Sequence, residues 1–317
     1  MKVIHGLESA DLAFDRTVLS IGNFDGVHRG HQQLLAQGGL FAADSGVPLV
    51  VLTFEPHPLT IVRPDQAPEQ LTRLSEKLPL LATAGADVTV VAESTTELLT
   101  LEAERFIDMV VDRFRPLRIV EGSTFGFGRR RRGTPEMLRS LGQSLGFDVC
   151  IIEPVSLQID GEQQVPISSF LVRRLLYEGK VHHAALCLGR PYTLCGRVVS
   201  GAGRGAGMGF PTANIGAIEQ LIPADGVYAG MATVAGRPYA AGISIGTNPT
   251  FDGSTRQVEA HLLDFSGDIR EQPVAVQFRS WIREQRKFDS TEQLAEQIAS
   301  DMETVRAQGS QGNVLDG

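Results

Sequence analysis

Apolar positions along the chain follow two different rhythms. In the first half, short and nearly continuous Val/Ile/Leu runs recur at 17–21, 48–54, 87–91, 117–120 and 147–152. Runs of this kind suit strands buried on both faces of a parallel sheet. Between them, 102–114 carries Phe106, Val110 and Phe114 on one stripe, with Pro116 just beyond, which predicts a helix and its stop. Alternating strands and helices predict a doubly wound parallel sheet, with ligands at the carboxyl ends of its strands. The helix after the first run is expected to be interrupted at Gly38-Gly39, each glycine costing about 1 kcal/mol relative to alanine.

From residue 188 the rhythm shortens. Leu188-Gly189-Arg190-Pro191-Tyr192 reads as a hinge, and a Gly-rich loop spans 201–209. Short strands are predicted at 227–234, 239–245, 257–263 and 274–278, separated by turn sequences such as Asp225-Gly226 and Asp252-Gly253. Strands at this spacing indicate a small antiparallel barrel. Period two within 257–262 puts Glu259 and His261 on one face and Val258, Ala260 and Leu262 on the other. Ser290-Thr291-Glu292-Gln293 resembles a capping box, and Leu294, Ile298 and Met302 then form a helical stripe expected to pack on the barrel. The expected division is an α/β domain over 1–186, a barrel domain with its terminal helix over 187–306, and a disordered tail over 307–317.

Length and composition agree with two globular domains: 317 residues, 42% hydrophobic and 21% charged. The 29 basic and 37 acidic residues leave a net charge of −8, which argues against broad nucleic-acid binding. Cys150, Cys187 and Cys195 are odd in number with no CxxC spacing, so neither a disulfide framework nor a zinc site is expected. No apolar stretch approaches the ~18 residues of a membrane span. A cytoplasmic location is expected, with no membrane partner.

The chemistry concentrates where the first apolar run ends. Residues 22–31 hold three glycines and the histidines His28 and His31 between a strand and a helix start. Such a turn brings backbone N–H groups and the positive end of a helix dipole to a phosphate. Histidines beside it can donate to phosphoryl oxygens as charge builds. The GxxxxGK[ST] spacing is absent, so this is not a P-loop. Three further stretches follow strands or open a helix: His57 between Pro56 and Pro58, the 122–128 loop leading into Arg129–Arg132, and Ser168-Ser169 with Arg173. Each also has a plainer reading, as a turn histidine, a solvated arginine face and a helix N-cap respectively.

Taken together, certain motifs carry a resemblance. GNFDGVHRGH at 22–31, TFEPHP at 53–58, ISS…R at 167–173, LGRPY at 188–192, GFPTAN at 209–214, GVYA at 226–229, GTNPTF at 246–251, VEAHLLDF at 258–265 and KF at 287–288 occur in this order. Over roughly residues 15 to 303 the chain resembles the prokaryotic bifunctional riboflavin kinase/FMN adenylyltransferase (FAD synthetase) family. The resemblance implies a Rossmann-like nucleotidyltransferase domain that converts FMN and ATP to FAD and pyrophosphate. It also implies a β-barrel kinase domain that converts riboflavin and ATP to FMN and ADP. In the first, Gly22, Asn23 and Phe24 would line the ATP phosphates and His28 and His31 would stabilise the transferring group. Ser169 and Arg173 would hold phosphate, His57 would lie toward the flavin, and Thr124 would stand near the nucleotide. In the second, Thr212 and Asn214 would bring oxygen to Mg²⁺, Glu259 would act as general base, and the loop containing Gly207 would close over the nucleotide.

The chain departs from the family pattern at Phe170, where the family has a threonine, and at Thr124, where it has Asp or Asn. Losing one hydroxyl contact costs on the order of 1 kcal/mol. Two alternatives to the bifunctional enzyme therefore stand beside it. One is a riboflavin kinase with a weak adenylyltransferase half. The other is a flavin- or nucleotide-binding regulator without turnover, against which His28, His31, Thr212, Asn214 and Glu259 speak.

Overall fold

A computed structural model of the chain describes residues 1–9, 13–159, 161, 164–200, 212–250 and 253–309. They form two compact units, Met1–Ser168 and Ser169–Gly317.

The first unit contains, in order, β1 (Lys2–His5), β2 (Thr17–Ile21), α1 (Arg29–Ser45), β3 (Leu49–Glu55), α2 (Pro58–Val62), α3 (Leu74–Thr83), β4 (Val88–Glu93), α4 (Thr96–Leu99), α5 (Ala103–Phe114), β5 (Pro116–Gly122), α6 (Pro135–Leu145) and β6 (Asp148–Ile152). A short antiparallel pair, β7 (Ser156–Leu157) and β8 (Val165–Pro166), follows. The main sheet has the order β1-β4-β3-β2-β5-β6 and is parallel at every junction. Strand order turns back between β2 and β5, the switch point where open α/β sheets form a crevice at their carboxyl ends.

Alternation along the strands supplies two cores. Leu19, Ile21, Leu52 and Ile119 face Phe106, Val110 and Phe114 of α5 and Leu138 of α6. Val18, Val51 and Val120 face Leu34, Leu35 and Ala42 of α1. β1 went unpredicted because its four residues are too few to show a period.

The expected break in α1 does not occur. The helix runs unbroken through Gly38, where a Cβ would stand 2.9 Å from Leu49 Cδ1. The missing side chain lets α1 rest directly on β3, and that contact outweighs the propensity cost.

The second unit begins with α7 (Ser169–Tyr177) and α8 (Val181–Leu188), then β9 (Tyr192–Val199), β10 (Thr212–Gly216), β11 (Gly226–Val234), β12 (Arg237–Thr250), β13 (Gly253–Leu262), β14 (Pro273–Arg283) and α9 (Thr291–Gly309). By contacts the division falls at 168/169, before α7, and not at 186/187. The physical reason is that α8 packs on β14 and β9, and Ala224 N–H donates to Leu176 O at 2.9 Å. Nor is 188–192 a hinge. Leu188 and Tyr192 are buried, Gly189 caps α8 in the left-handed region, and the Tyr192 hydroxyl donates to Leu221 O at 2.7 Å.

The six strands close into a barrel in the order β10-β13-β12-β11-β14-β9, antiparallel throughout. Tyr228 and Phe278 fill its interior with ring centroids 5.1 Å apart. α9 lies on the outside, burying Met302 and Val305 against Ala229 and Leu263. Its first turn is capped much as expected: Ser290 Oγ accepts from Gln293 N–H, and the Gln293 side chain accepts from Asp289 N–H. Because α9 extends to Gly309, residues 307–309 are helical; 310–317, the rest of the expected tail, lie outside the described residues.

Candidate active sites

In the first unit, the chain leaves β2 through a tightly held turn. Gly22 N–H is already spent on Leu52 O at 3.0 Å, so this residue extends the sheet and presents no free N–H to an anion. Beyond it, Phe24, Gly26 and Val27 all occupy the left-handed region, with φ of 48°, 83° and 40°. For Phe and especially the β-branched Val this is strained, and such strain persists only where the surroundings enforce it.

The enforcing group is Asp25, buried beneath the turn. Its carboxylate accepts from Leu71 N–H at 3.0 Å and from Thr72 N–H at 3.1 Å, while Gly26 N–H donates to Thr72 Oγ1 at 3.0 Å. Among the described residues, the N–H groups of Asn23 and Phe24 have no protein partner. Two backbone donors just beyond the carboxyl end of β2 are thus left for a ligand.

His28 is the N-cap of α1. Its Nδ1 accepts from His31 N–H at 3.3 Å, which in the neutral ring leaves Nε2–H as a donor. The two imidazoles stack with centroids 3.6 Å apart, and the Phe24 ring meets His31 edge-on. A Cβ at Gly30 would stand 3.1 Å from Nδ1 and Cε1 of His28, so the glycine makes room for the stack. Burial, then His28, then Lys77 depress the His31 pKa well below the ordinary imidazole value, and His31 is neutral near pH 7.

His57 joins this cluster. Its Nδ1 accepts from Leu59 N–H at 3.2 Å, and its Nε2 lies 3.0 Å from the Asn23 amide. The Asn23 atom at that distance is the amide nitrogen Nδ2, and the two contacts hold the ring from both of its nitrogens. Thr124, in the loop after β5, is exposed and engages Arg131 through its carbonyl at 2.9 Å. Arg129–Arg132 are exposed, with Arg129 paired to Glu102 at 3.2 Å.

Sequence reasoning missed two acids here. Asp25 was hidden because its partners are 46 and 47 positions away. The other is Glu121 at the end of β5, whose Oε1 accepts Ile21 N–H at 2.6 Å.

Ser169 and Arg173 belong to the second unit, one helical turn apart in α7. Phe170 is 74% exposed and takes no part in the packing of that helix.

The barrel site is defined by register. Asn214 of β10 stands directly opposite Glu259 of β13, and Thr212 opposite His261. On the other side of β13, Ser244 of β12 stands opposite Glu259. Ala213, Ile215, Val258, Ala260 and Leu262 point into the core, so the polar set lies on the outer face, as period two predicts. Directly opposed side chains have Cβ atoms about 4.5–5.5 Å apart, close enough to share a ligand.

Ser244 is a further polar neighbour that the sequence did not single out; Gln285 Nε2 donates to its Oγ at 2.8 Å. Close by in sequence, Arg286, Lys287 and Phe288 line an open cavity of about 410 Å³ with Gln293, Glu296 and Gln297 from α9. Among the described residues no cluster of His, Cys, Asp or Glu is arranged to hold a metal. Gly207 lies outside the described residues.

A parallel α/β unit with a phosphate-type turn, together with an antiparallel barrel bearing a Thr/Asn/Glu constellation, defines a two-site phosphoryl- and nucleotidyl-transfer protein. Residues 12–169 match the FAD synthetase family and residues 188–308 the riboflavin kinase family. The chain is 38% identical to the bifunctional riboflavin kinase/FMN adenylyltransferase of Escherichia coli (strain K12) over 309 residues, covering 96% of this chain and 97% of that one. It is 34% identical to the protein of the same description from Pseudomonas fluorescens, covering 97% of each. It therefore belongs to the bifunctional riboflavin kinase/FMN adenylyltransferase family.

A crystal structure described as that of a macrolide-efflux protein from Streptococcus pneumoniae superposes with a TM-score of 0.86 at 30% identity, covering 96% of this chain and 99% of that one. Among the described residues, no helix of this chain is long and apolar enough to cross a membrane.

Proposed function

We propose that this chain phosphorylates riboflavin to FMN on the barrel and adenylylates FMN to FAD on the parallel sheet, with ATP as co-substrate of both steps. The observation that carries this reading is that one chain holds two unlike sites, each in the unit matched by the corresponding family.

On the sheet, the Asn23 and Phe24 N–H groups cradle ATP phosphates, and His28 stabilises the charge that grows on the α-phosphoryl group as an FMN phosphate oxygen attacks. A neutral, prepositioned His31 completes the stack without reorganising during reaction. Stabilisation of this preorganised kind is the main contribution to phosphoryl and nucleotidyl transfer. His57, oriented by Leu59 and Asn23, lies toward the flavin. Thr124 stands near the nucleotide, and Ser169 and Arg173 are assigned to phosphate binding by their place in the ISS…R motif.

On the barrel, Glu259 accepts the proton of the ribityl 5′-hydroxyl as that oxygen attacks the γ-phosphate. The neutral oxygens of Thr212 and Asn214 beside that carboxylate suit Mg²⁺, which favours few protein ligands and takes the remainder from phosphates and water. Mg²⁺ bound there would neutralise charge on the transferring phosphate. Gly207 belongs to the loop assigned to cover the nucleotide. A cytoplasmic location accords with the use of ATP in both reactions.

Incubating the protein with riboflavin, ATP and Mg²⁺ and separating the flavins tests the reading: FMN followed by FAD is expected. FMN that never becomes FAD would leave a riboflavin kinase alone, and unchanged riboflavin would leave a binding protein. Glu259→Ala is expected to lower riboflavin phosphorylation at least 100-fold while sparing FMN-to-FAD conversion. His28→Ala is expected to do the reverse.

A further inference from the structure

Glu121 has no part in the roles assigned above, yet it lies at the base of the adenylyl-transfer turn. Backbone pairing between β2 and β5 runs from Thr17 to Leu19 on β2 and from Pro116 to Ile119 on β5, then stops. Two residues further on, where the strands part to open the crevice, the Glu121 side chain replaces the backbone as partner of β2 by accepting Ile21 N–H at 2.6 Å. Ile21 is the last residue before the strained turn, and Asn23 and Phe24, with their unspent N–H groups, follow within three positions.

Glu121 is 3% exposed. It shares the sheet face of Ile119 and Ile21, which α5 and α6 cover with Phe106, Val110 and Leu138. The charged residues of these helices, such as Glu104, Arg105 and Arg139, lie toward solvent. β2 contributes no ionisable side chain, β6 places Ile151 opposite Glu121, and Arg29 and His31 belong to α1 on the other face of the sheet. Burial pushes the carboxyl well above the usual carboxylate range, opposed only by the Ile21 N–H bond.

Ionised, Glu121 would set an uncompensated negative charge directly beneath the place where a triphosphate binds. Protonated, it keeps the same acceptor oxygen on Ile21 without that charge.

Resting on the adenylyl-transfer reading of this turn, we propose that Glu121 is a positioning residue that works as a neutral acid. It fixes the exit of β2, and hence the phosphate-binding N–H groups, while keeping negative charge away from the nucleotide.

The test is the KM for ATP in FMN-to-FAD conversion between pH 6 and 9.5, measured separately from kcat, for the wild type, Glu121→Gln and Glu121→Leu. Riboflavin phosphorylation by the same preparations serves as an internal control. Glutamine keeps the acceptor and cannot ionise. Its KM is expected within about twofold of wild type at pH 7, and any alkaline rise that the wild type shows is expected to be absent from it. Leucine removes the acceptor and is expected to raise KM about tenfold at every pH.

An alkaline rise that persists unchanged in Glu121→Gln overturns the proposal, as does a Glu121→Leu protein indistinguishable from wild type. If Glu121→Leu does not fold, the pH profile of Glu121→Gln decides alone. A wild-type protein that makes FMN but no FAD at any pH would instead overturn the adenylyl-transfer reading itself.

Discussion

At position 30 a methyl group would press on the His28 imidazole at 3.1 Å, although alanine is the better helix former by about 1 kcal/mol. Gly30→Ala is therefore expected to hold or raise thermal stability while lowering kcat for FAD formation about tenfold, with riboflavin phosphorylation unaffected. Stability and turnover measured on one preparation check this, because a merely structural glycine would move both in the same direction.

His31 makes a separate prediction. Its pKa is depressed in the folded state, so below the ordinary imidazole value of 6.5 the unfolded chain binds a proton that the folded chain refuses. Stability supplied by the neutral ring is present above that value and declines as pH falls through it. Urea unfolding of the wild type and His31→Asn between pH 7.5 and 5 is expected to show a steeper acid loss in the wild type.

The histidines and glycines of this site were legible in the sequence because their spacing is local. Asp25 and Glu121 were not, because what they hold is a backbone N–H brought close only by the fold.

At the scale of elements, α9 is fastened to the barrel by one buried ion pair. Arg283 of β14 and Asp301 lie 2.8 Å apart with side chains 19% and 4% exposed, and Gln297 adds a bond to Asp301 at 2.8 Å. Removing one member of such a pair strands the other. Asp301→Ala is expected to lower stability by about 3 kcal/mol, read as a shift in the barrel's denaturant midpoint. Asp301→Asn, which keeps the hydrogen-bonding shape, is expected to lose less.

Sequence periodicity located α9 and its apolar stripe, but a charge pair 18 residues apart has no period to reveal it. The same limit explains two misread elements. Gly38-Gly39 suggested a break where close packing on Leu49 required an empty site. Leu188–Tyr192 suggested a hinge where two buried side chains and a left-handed cap fix the chain.

For the molecule as a whole, alternating runs in the first half were enough to indicate a parallel sheet, and period two in the second was enough to indicate a barrel. Where the chain divides was less legible, since α7 and α8 continue the helical texture of the first half while packing on the strands of the second. Two unlike sites in one chain also predict complementation. Glu259→Ala and His28→Ala are each expected to fail to convert riboflavin to FAD, while a mixture of the two succeeds, because FMN made by one can diffuse to the other. Separating the flavins formed by each variant and by the mixture measures this.

The pairing of Asn214 with Glu259 has a consequence for how this protein tolerates change. Both residues owe their place to counting along β10 and β13, and side chains on a strand switch sides at every step. Single substitutions on the outer face leave that count intact. One residue inserted between 255 and 258 would turn Glu259 into the apolar interior and Val258 out to solvent, removing the base and spoiling the core together. The barrel site is thus robust to exchange of residues and intolerant of insertions and deletions.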